Sequence, residues 1–228
     1  MKTWWGALAI AATTSGVAQG QVGYPPAESP FRDLAYKQEA TIVMGYFAAG
    51  ADPVGVAPRS GPMLGARYEV RVGGPAQFAV RVARVFSERN VLDPTKPVDE
   101  RIVSTDSWPL YLADLGLTFN LTGQKSFRGL VPVASFGGGV ATDLKGSEDV
   151  GGFKFGTAFA LSFGAGIRWV PGSAFQLRLD VLDYLYQVRY PNSYFTSSGS
   201  LPAVRSGSQS AWTHNAAITL GGSYQFFR

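Results

Sequence analysis

The stretch Ile218-Thr219-Leu220-Gly221-Gly222-Ser223-Tyr224-Gln225-Phe226 alternates apolar residues with small or polar ones. A period of two sends successive side chains to opposite faces of a strand, so one face is apolar and the other polar. The same pattern recurs upstream. Over 153–170, Phe153, Phe155, Thr157, Phe159, Leu161, Phe163, Ala165, Ile167 and Trp169 share one face. Lys154, Gly156, Ala158, Ala160, Ser162, Gly164, Gly166 and Arg168 share the other. Tyr68, Val70 and Val72 alternate with Arg67, Glu69 and Arg71. Leu115, Leu117, Phe119 and Leu121 alternate with Asp114, Gly116, Thr118 and Asn120, and Phe175, Leu177, Leu179 and Val181 with Gln176, Arg178 and Asp180. Together these patterns predict eight strands, at 39–49, 63–72, 76–87, 108–121, 129–142, 153–170, 174–189 and 211–226. The segment 129–142 fits least well. Pro132 removes a ladder donor and Gly137-Gly138-Gly139 blurs the alternation, so a bulge near Pro132 is expected.

The connections set the topology. Those at 73–75, 122–127 and 171–173 are short, and those at 50–62, 88–107, 143–152 and 190–210 are long. Strict alternation of long and short is the rule of an up-and-down barrel in an outer membrane, with short turns on the periplasmic side and longer loops outside. A sandwich with Greek-key crossings has no reason to obey it. Eight strands enclose only enough room for interior side chains and cannot house the Phe and Trp rings of 153–170. The bulky face therefore points outward, and the outside is lipid. Aromatic residues cluster at the strand ends as two girdles: Phe78, Phe119, Trp169, Phe175, Tyr224 and Phe226 on the periplasmic side, and Tyr46, Phe86, Trp108, Phe153, Tyr186 and Trp212 on the outer side. The expected fold is all-β: an eight-stranded antiparallel up-and-down transmembrane β-barrel.

The N-terminus adds a destination. Lys2 supplies a positive start, 4–12 is apolar but too short to span as a helix, and 13–20 is small and polar. This is the order of a secretory signal, with cleavage before Gln21 or after Ala18. The chain then divides into a signal peptide at 1–20, a Pro-rich periplasmic lead at 21–36 with a helical turn over 30–34, and the barrel at 37–228. The sequence has no cysteine, which excludes disulfides, thiolate metal sites, cysteine nucleophiles and lipoprotein acylation together. Its 28 glycines and 13% aromatic residues suit many strands joined by tight turns. The net charge of +4 is spread along strands, without the clustered basic stripe of a nucleic-acid interface.

With signal, amphipathic strands and terminal aromatic in hand, the chain resembles the OmpA/OmpX-like class of small bacterial outer-membrane β-barrel proteins. The resemblance covers essentially the whole mature chain. It implies location in the bacterial outer membrane, contact with its lipid, and a C-terminal signal at Tyr224 and Phe226 that the barrel-assembly machinery reads. Phe227 and Arg228 follow the usual terminal aromatic, so either Phe226 or Phe227 fills that place. The peptidoglycan-binding domain of OmpA is expected to be absent, and the protein to be a monomer.

Candidate chemistry is sparse. The inward charges are Arg67, Glu69, Arg71, Arg81, Asp114, Lys154, Arg168, Arg178 and Asp180. They could line an ion pathway or pair into a network that fills the lumen, and pairing is favoured because interior polar groups away from water need partners. His214 is the single histidine. Lipid A acyl-chain enzymes of this barrel size need a histidine with a serine and a carboxylate; Ser208, Ser210 and Glu148 are the candidate partners, sequence distance alone does not bring them together, and a lone histidine is not a triad. No metal-ligand spacing, phosphate loop or dinucleotide fingerprint is present. No cofactor and no catalytic site are expected. The expected role is structural or one of surface contact with an extracellular ligand through the outer loops, with 190–210 as the contact segment. A lipid A-modifying enzyme and a narrow solute channel are the alternatives.

Overall fold

The computed structural model describes residues 29–144, 148–172, 174–196, 201–204 and 209–226. The signal at 1–20, the first part of the lead, Ser208, Phe227 and Arg228 lie outside the described residues. The strands, in chain order, are β1 (Phe31–Asp33), β2 (Gln38–Ala48), β3 (Gly61–Gly73), β4 (Ala76–Val85), β5 (Glu88–Leu92), β6 (Ile102–Ser107), β7 (Leu110–Asn120), β8 (Lys125–Phe127), β9 (Leu130–Thr142), β10 (Thr157–Trp169), β11 (Phe175–Arg189) and β12 (Ser210–Phe226).

Eight of them close a cylinder in the order β2-β3-β4-β7-β9-β10-β11-β12, and β12 returns to pair with β2 from Ala216↔Ala48 to Phe226↔Gln38. Every neighbouring pair is antiparallel. Closure leaves no barrel edge unpaired, which is what a sheet immersed in hydrocarbon requires. Side-chain parity follows the pleat. On β11, Phe175, Leu177, Leu179 and Val181 are exposed, while Gln176, Arg178, Asp180, Leu182 and Tyr184 are buried. The exterior is thus aliphatic and aromatic, and the interior carries the charge.

Small residues on the inward face make room for that charge. A Cβ on Gly137 would sit 2.7 Å from the Arg81 guanidinium, and one on Gly166 would sit 2.3 Å from an Asp180 carboxylate oxygen. Gly137 and Gly139, on the inward face of β9, therefore make space for Arg81 and Asp114, while Gly138 faces outward beside Phe159.

Several local expectations are corrected. No bulge occurs at Pro132: the β9–β10 register runs unbroken from Leu130 to Thr142. The missing N–H faces β7, whose ladder with β9 ends at Asn120↔Val133, so the proline costs little there. Within the barrel the irregular register falls instead between Arg71 and Gly73. Strand β10 starts at Thr157, not at 153, because Gly152 and Gly156 have positive φ and turn the chain before it. The lead makes a short strand, β1 against β8, where a helical turn was expected. The long connection at 88–107 also carries its own hairpin, β5–β6.

Candidate functional site

The barrel interior has two layers. The layer toward the short turns is ionic. Arg178 donates to Asp180 through Nε at 2.6 Å, to Glu69 at 2.6 Å and to Glu39 at 3.4 Å. Arg67 meets Glu69 at 2.5 Å and lies 3.9 Å from Asp180. Arg168 is paired with Glu39 and donates to Gln77 and Asn120 at 3.1 and 3.2 Å. Arg81 meets Asp114 at 2.5 Å, and Asp114 also accepts from Ser162 and Tyr184. Four guanidinium groups stand against four carboxylates, and all eight side chains are buried. The set is electrically balanced and leaves no unpaired charge to recruit an ion.

The layer toward the long loops is apolar. Phe47, Met63, Val85, Leu110, Leu112, Leu182 and Tyr186 line the wall. Loop residues fold down into it: Val56 from the first loop, Leu92 from the second, Phe153 from the third, and Tyr190, Tyr194 and Val204 from the fourth. Phe153 stacks on Tyr194 with ring centroids 6.4 Å apart. Buried Arg89 lies between Trp108 and Phe153, 4.1 and 5.2 Å from their ring centroids, and pairs with Asp149 at 2.9 Å. Asp52 accepts the backbone N–H groups of Val54, Val56 and Ala57 and the Tyr190 hydroxyl. Burial, and then the Asp52 carboxylate, hold the Tyr190 phenol above the usual tyrosine range; burial does the same for Tyr194. The loops thus form one cap.

The other mouth is closed by the lead. Leu34 and Tyr36 are buried against Val131 and Val133. The Tyr36 ring lies 5.0 Å from the Arg168 guanidinium and 5.3 Å from that of Arg71.

Of the inward charges expected from the sequence, Arg67, Glu69, Arg81, Asp114, Arg168, Arg178 and Asp180 meet in the ionic layer. Arg71 sits apart at the periplasmic rim, half-buried and bonded to the Leu34 carbonyl. Lys154 is outside the barrel, exposed in the third loop, because β10 begins three residues later. Phe153 and Tyr186 leave the outer girdle for the cap, and Tyr46, Phe86 and Trp212 remain on it. Glu39, which accepts from two arginines, escaped notice because it opens its strand, where one residue sets no alternation. Gln77 and Gln176, which join the same layer, carry no charge to single them out.

His214 faces outward near the outer rim, and its Nδ1 lies 2.6 Å from Asp183. Asp183 was not anticipated; strand parity on β11 was the signal available. Ser210 is four residues away on the same face of β12, about 13 Å along a strand. That separation is too great for a nucleophile and its base. Glu148 is exposed in the third loop. Tyr224 and Phe226 stack at 6.3 Å on the periplasmic rim.

No protein-family model matches the chain, and no curated protein matches it in sequence. Solved structures do. The outer-membrane protein OprG of Pseudomonas aeruginosa aligns over 86% of this chain and 100% of its own, with a TM-score of 0.52 and 13% identity. This is the fold of an eight-stranded outer-membrane barrel. Neisserial surface protein A, from Neisseria, aligns over 87% of this chain and 98% of its own at a TM-score of 0.49 and 13% identity. Ail of Yersinia pestis, solved with the heparin analogue sucrose octasulfate, covers 83% of this chain and 99% of its own at 0.40 and 15%. At such identities the likeness concerns the fold alone. The apolar exterior around a charged interior requires lipid outside, so the chain is an integral protein of the bacterial outer membrane. The long loops of an outer-membrane barrel face the cell exterior, and the short turns face the periplasm.

Proposed function

We propose that this outer-membrane barrel is a closed scaffold that presents a contact surface outside the cell. The observation that supports this reading is the division of labour among the outer loops. Segments of all four are spent sealing the lumen, yet among the described residues the β5–β6 hairpin keeps the outer edge of β6 without a strand partner. All six residues of β6 are exposed, with Ile102 58% and Val103 40% accessible in a loop beyond the lipid. An exposed apolar patch away from the membrane points to an interaction surface. An unpaired strand edge is a template for another extended chain.

Of the segment 190–210, residues 197–200 and 205–208 lie outside the described residues, so the reading rests on β6. Tyr190, Tyr194 and Val204 are turned inward into the cap, because their rings and side chains fill the apolar mouth. Adherence of whole cells to protein-coated and abiotic surfaces tests the reading. Cells bearing the chain should adhere more than cells lacking it, and Ile102→Glu with Val103→Glu should remove the difference while the barrel still folds. Equal adherence of all three strains would rule the reading out.

A further inference from the structure

The lipid-facing wall is not uniformly bulky. Near the periplasmic end one cross-strand row reads Tyr68, Ala40, Tyr224, Phe175, and the row above it reads Ala66, Ile42, Gly222, Leu177. Ala40, Ala66 and Gly222 form the floor of a groove of about 720 Å³ walled by Trp169, Phe175 and Tyr224. That volume lies within the range of about 300–1,000 Å³ typical of small-molecule sites. A Cβ on Gly222 would meet nothing within 4 Å, so the floor is open to the outside. The rings along its lower margin form a chain: Tyr68 to Phe226 at 6.1 Å, Phe226 to Tyr224 at 6.3 Å, and Tyr224 to Phe175 at 5.1 Å.

Below this margin the charge is one-sided. Among the described residues the periplasmic end carries Arg32, Lys37, Arg71, Lys125 and Arg128 against Asp33, whose carboxylate lies 3.9 Å from Lys125. One of these cations stands beside a groove-lining turn, and a second lies three residues before the floor in the chain. Arg32 brings a guanidinium nitrogen to 3.9 Å from a Cβ built on Gly172, in the turn beside groove-lining Pro171. Exposed Lys37 precedes the first residue of β2, the strand that supplies Ala40 to the floor. An apolar furrow crossing an aromatic belt, with cations at its aqueous end, is complementary to a lipid with an anionic headgroup.

We propose that this groove holds an anionic glycerophospholipid of the periplasmic leaflet, with an acyl chain on the Ala40–Ala66–Gly222 floor and its phosphate between Arg32 and Lys37. The lipid is a bound component of the barrel, distinct from the bulk bilayer and independent of whatever the outer loops contact.

The test uses the purified full chain in detergent, offered phosphatidylglycerol or phosphatidylcholine with identical acyl chains, and native mass spectrometry to count retained lipid. Two cations near the headgroup favour phosphatidylglycerol by about tenfold or more. Arg32→Glu with Lys37→Glu should abolish the preference, leaving weak retention of both lipids. Gly222→Trp, which fills the floor, should lower retention of both. A heat-dependent gel shift shows that each variant is folded, and the unaltered protein with the charge-reversed one decides the matter even if Gly222→Trp fails to fold. Equal retention of the two lipids by the unaltered protein overturns the proposal. So does a phosphatidylglycerol preference that survives the double charge reversal.

Discussion

Arg178 answers three carboxylates, Glu39, Glu69 and Asp180, and none of the four side chains is more than 3% exposed. Removing it leaves buried negative charge without compensation, which costs about 3–5 kcal/mol when a buried pair is broken from one side. Arg178→Met should therefore lower the urea midpoint of refolded barrel in vesicles sharply. Arg178→Met combined with Asp180→Leu should recover part of the loss, because the second change removes one of the stranded charges. A single variant as stable as the unaltered protein would show that the carboxylates find other partners. The rim pair is a different case. His214 and Asp183 are within hydrogen-bond reach, but Ser210, about 13 Å along the strand, is too far to complete a nucleophilic set with them, and Ser208 lies outside the described residues. His214→Ala should leave lipid A unchanged by mass spectrometry; an altered acyl pattern in cells bearing the chain, lost in this variant, would assign catalysis to the pair. At this scale the sequence was informative where a charge stood inside an established alternation, as Arg178 and Asp180 do. It was silent about Glu39, which begins a strand, and misleading about Lys154, whose alternation with Phe153 and Phe155 continues past the strand into a loop.

The same limit governs the elements. Period two located all eight barrel strands to within a few residues, because a wall with lipid on one side and a charged lumen on the other enforces alternation along its whole length. It did not reveal β5–β6 or the β1–β8 pair, which lie outside the bilayer where neither face is forced to be apolar. Nor did it reveal that the loops fold inward, since Val56 and Tyr194 stand in segments without period two, and Phe153 continues the alternation of β10 and so reads as part of its outward face. The cap they build has a testable pH response. In the folded cap Tyr190 and Tyr194 hold their protons above the usual tyrosine range, chiefly through burial. The opened cap would release them near the ordinary value, about 10. Above that pH the closed form binds more protons than the open one, so its stability is intact below it and falls as pH rises. Limited proteolysis should cut the outer loops faster from about pH 10 upward while the barrel strands stay resistant. A cleavage rate flat through this window would mean that the two phenols do not hold the cap.

At the scale of the whole molecule three seals lie in series along the lumen: the loop cap, the ionic layer, and the lead with Leu34 and Tyr36. Each would block passage alone. The cap is expected to exclude ions because apolar side chains fill it and its buried Arg89 is paired with Asp149, and the ionic layer because each of its guanidinium groups is already paired with a carboxylate. An eight-stranded barrel has no spare width beside its interior side chains. Planar-bilayer recordings of the monomer should show no stable conductance. Opening one end should not change this: Leu34→Ala with Tyr36→Ala removes the periplasmic seal but leaves the other two, and should remain silent. Adding Phe153→Ala and Tyr194→Ala empties much of the cap and still leaves the arginine–carboxylate layer across the bore. Arg81→Ala with Asp114→Ala keeps the lumen balanced but leaves Arg67, Arg168 and Arg178 against Glu39, Glu69 and Asp180, so conductance should appear only when these six are shortened to Ala as well. A stable open current from the unaltered monomer would overturn the closed-scaffold reading, and a current from the Leu34→Ala, Tyr36→Ala variant alone would show that the cap and the ionic layer are porous to ions.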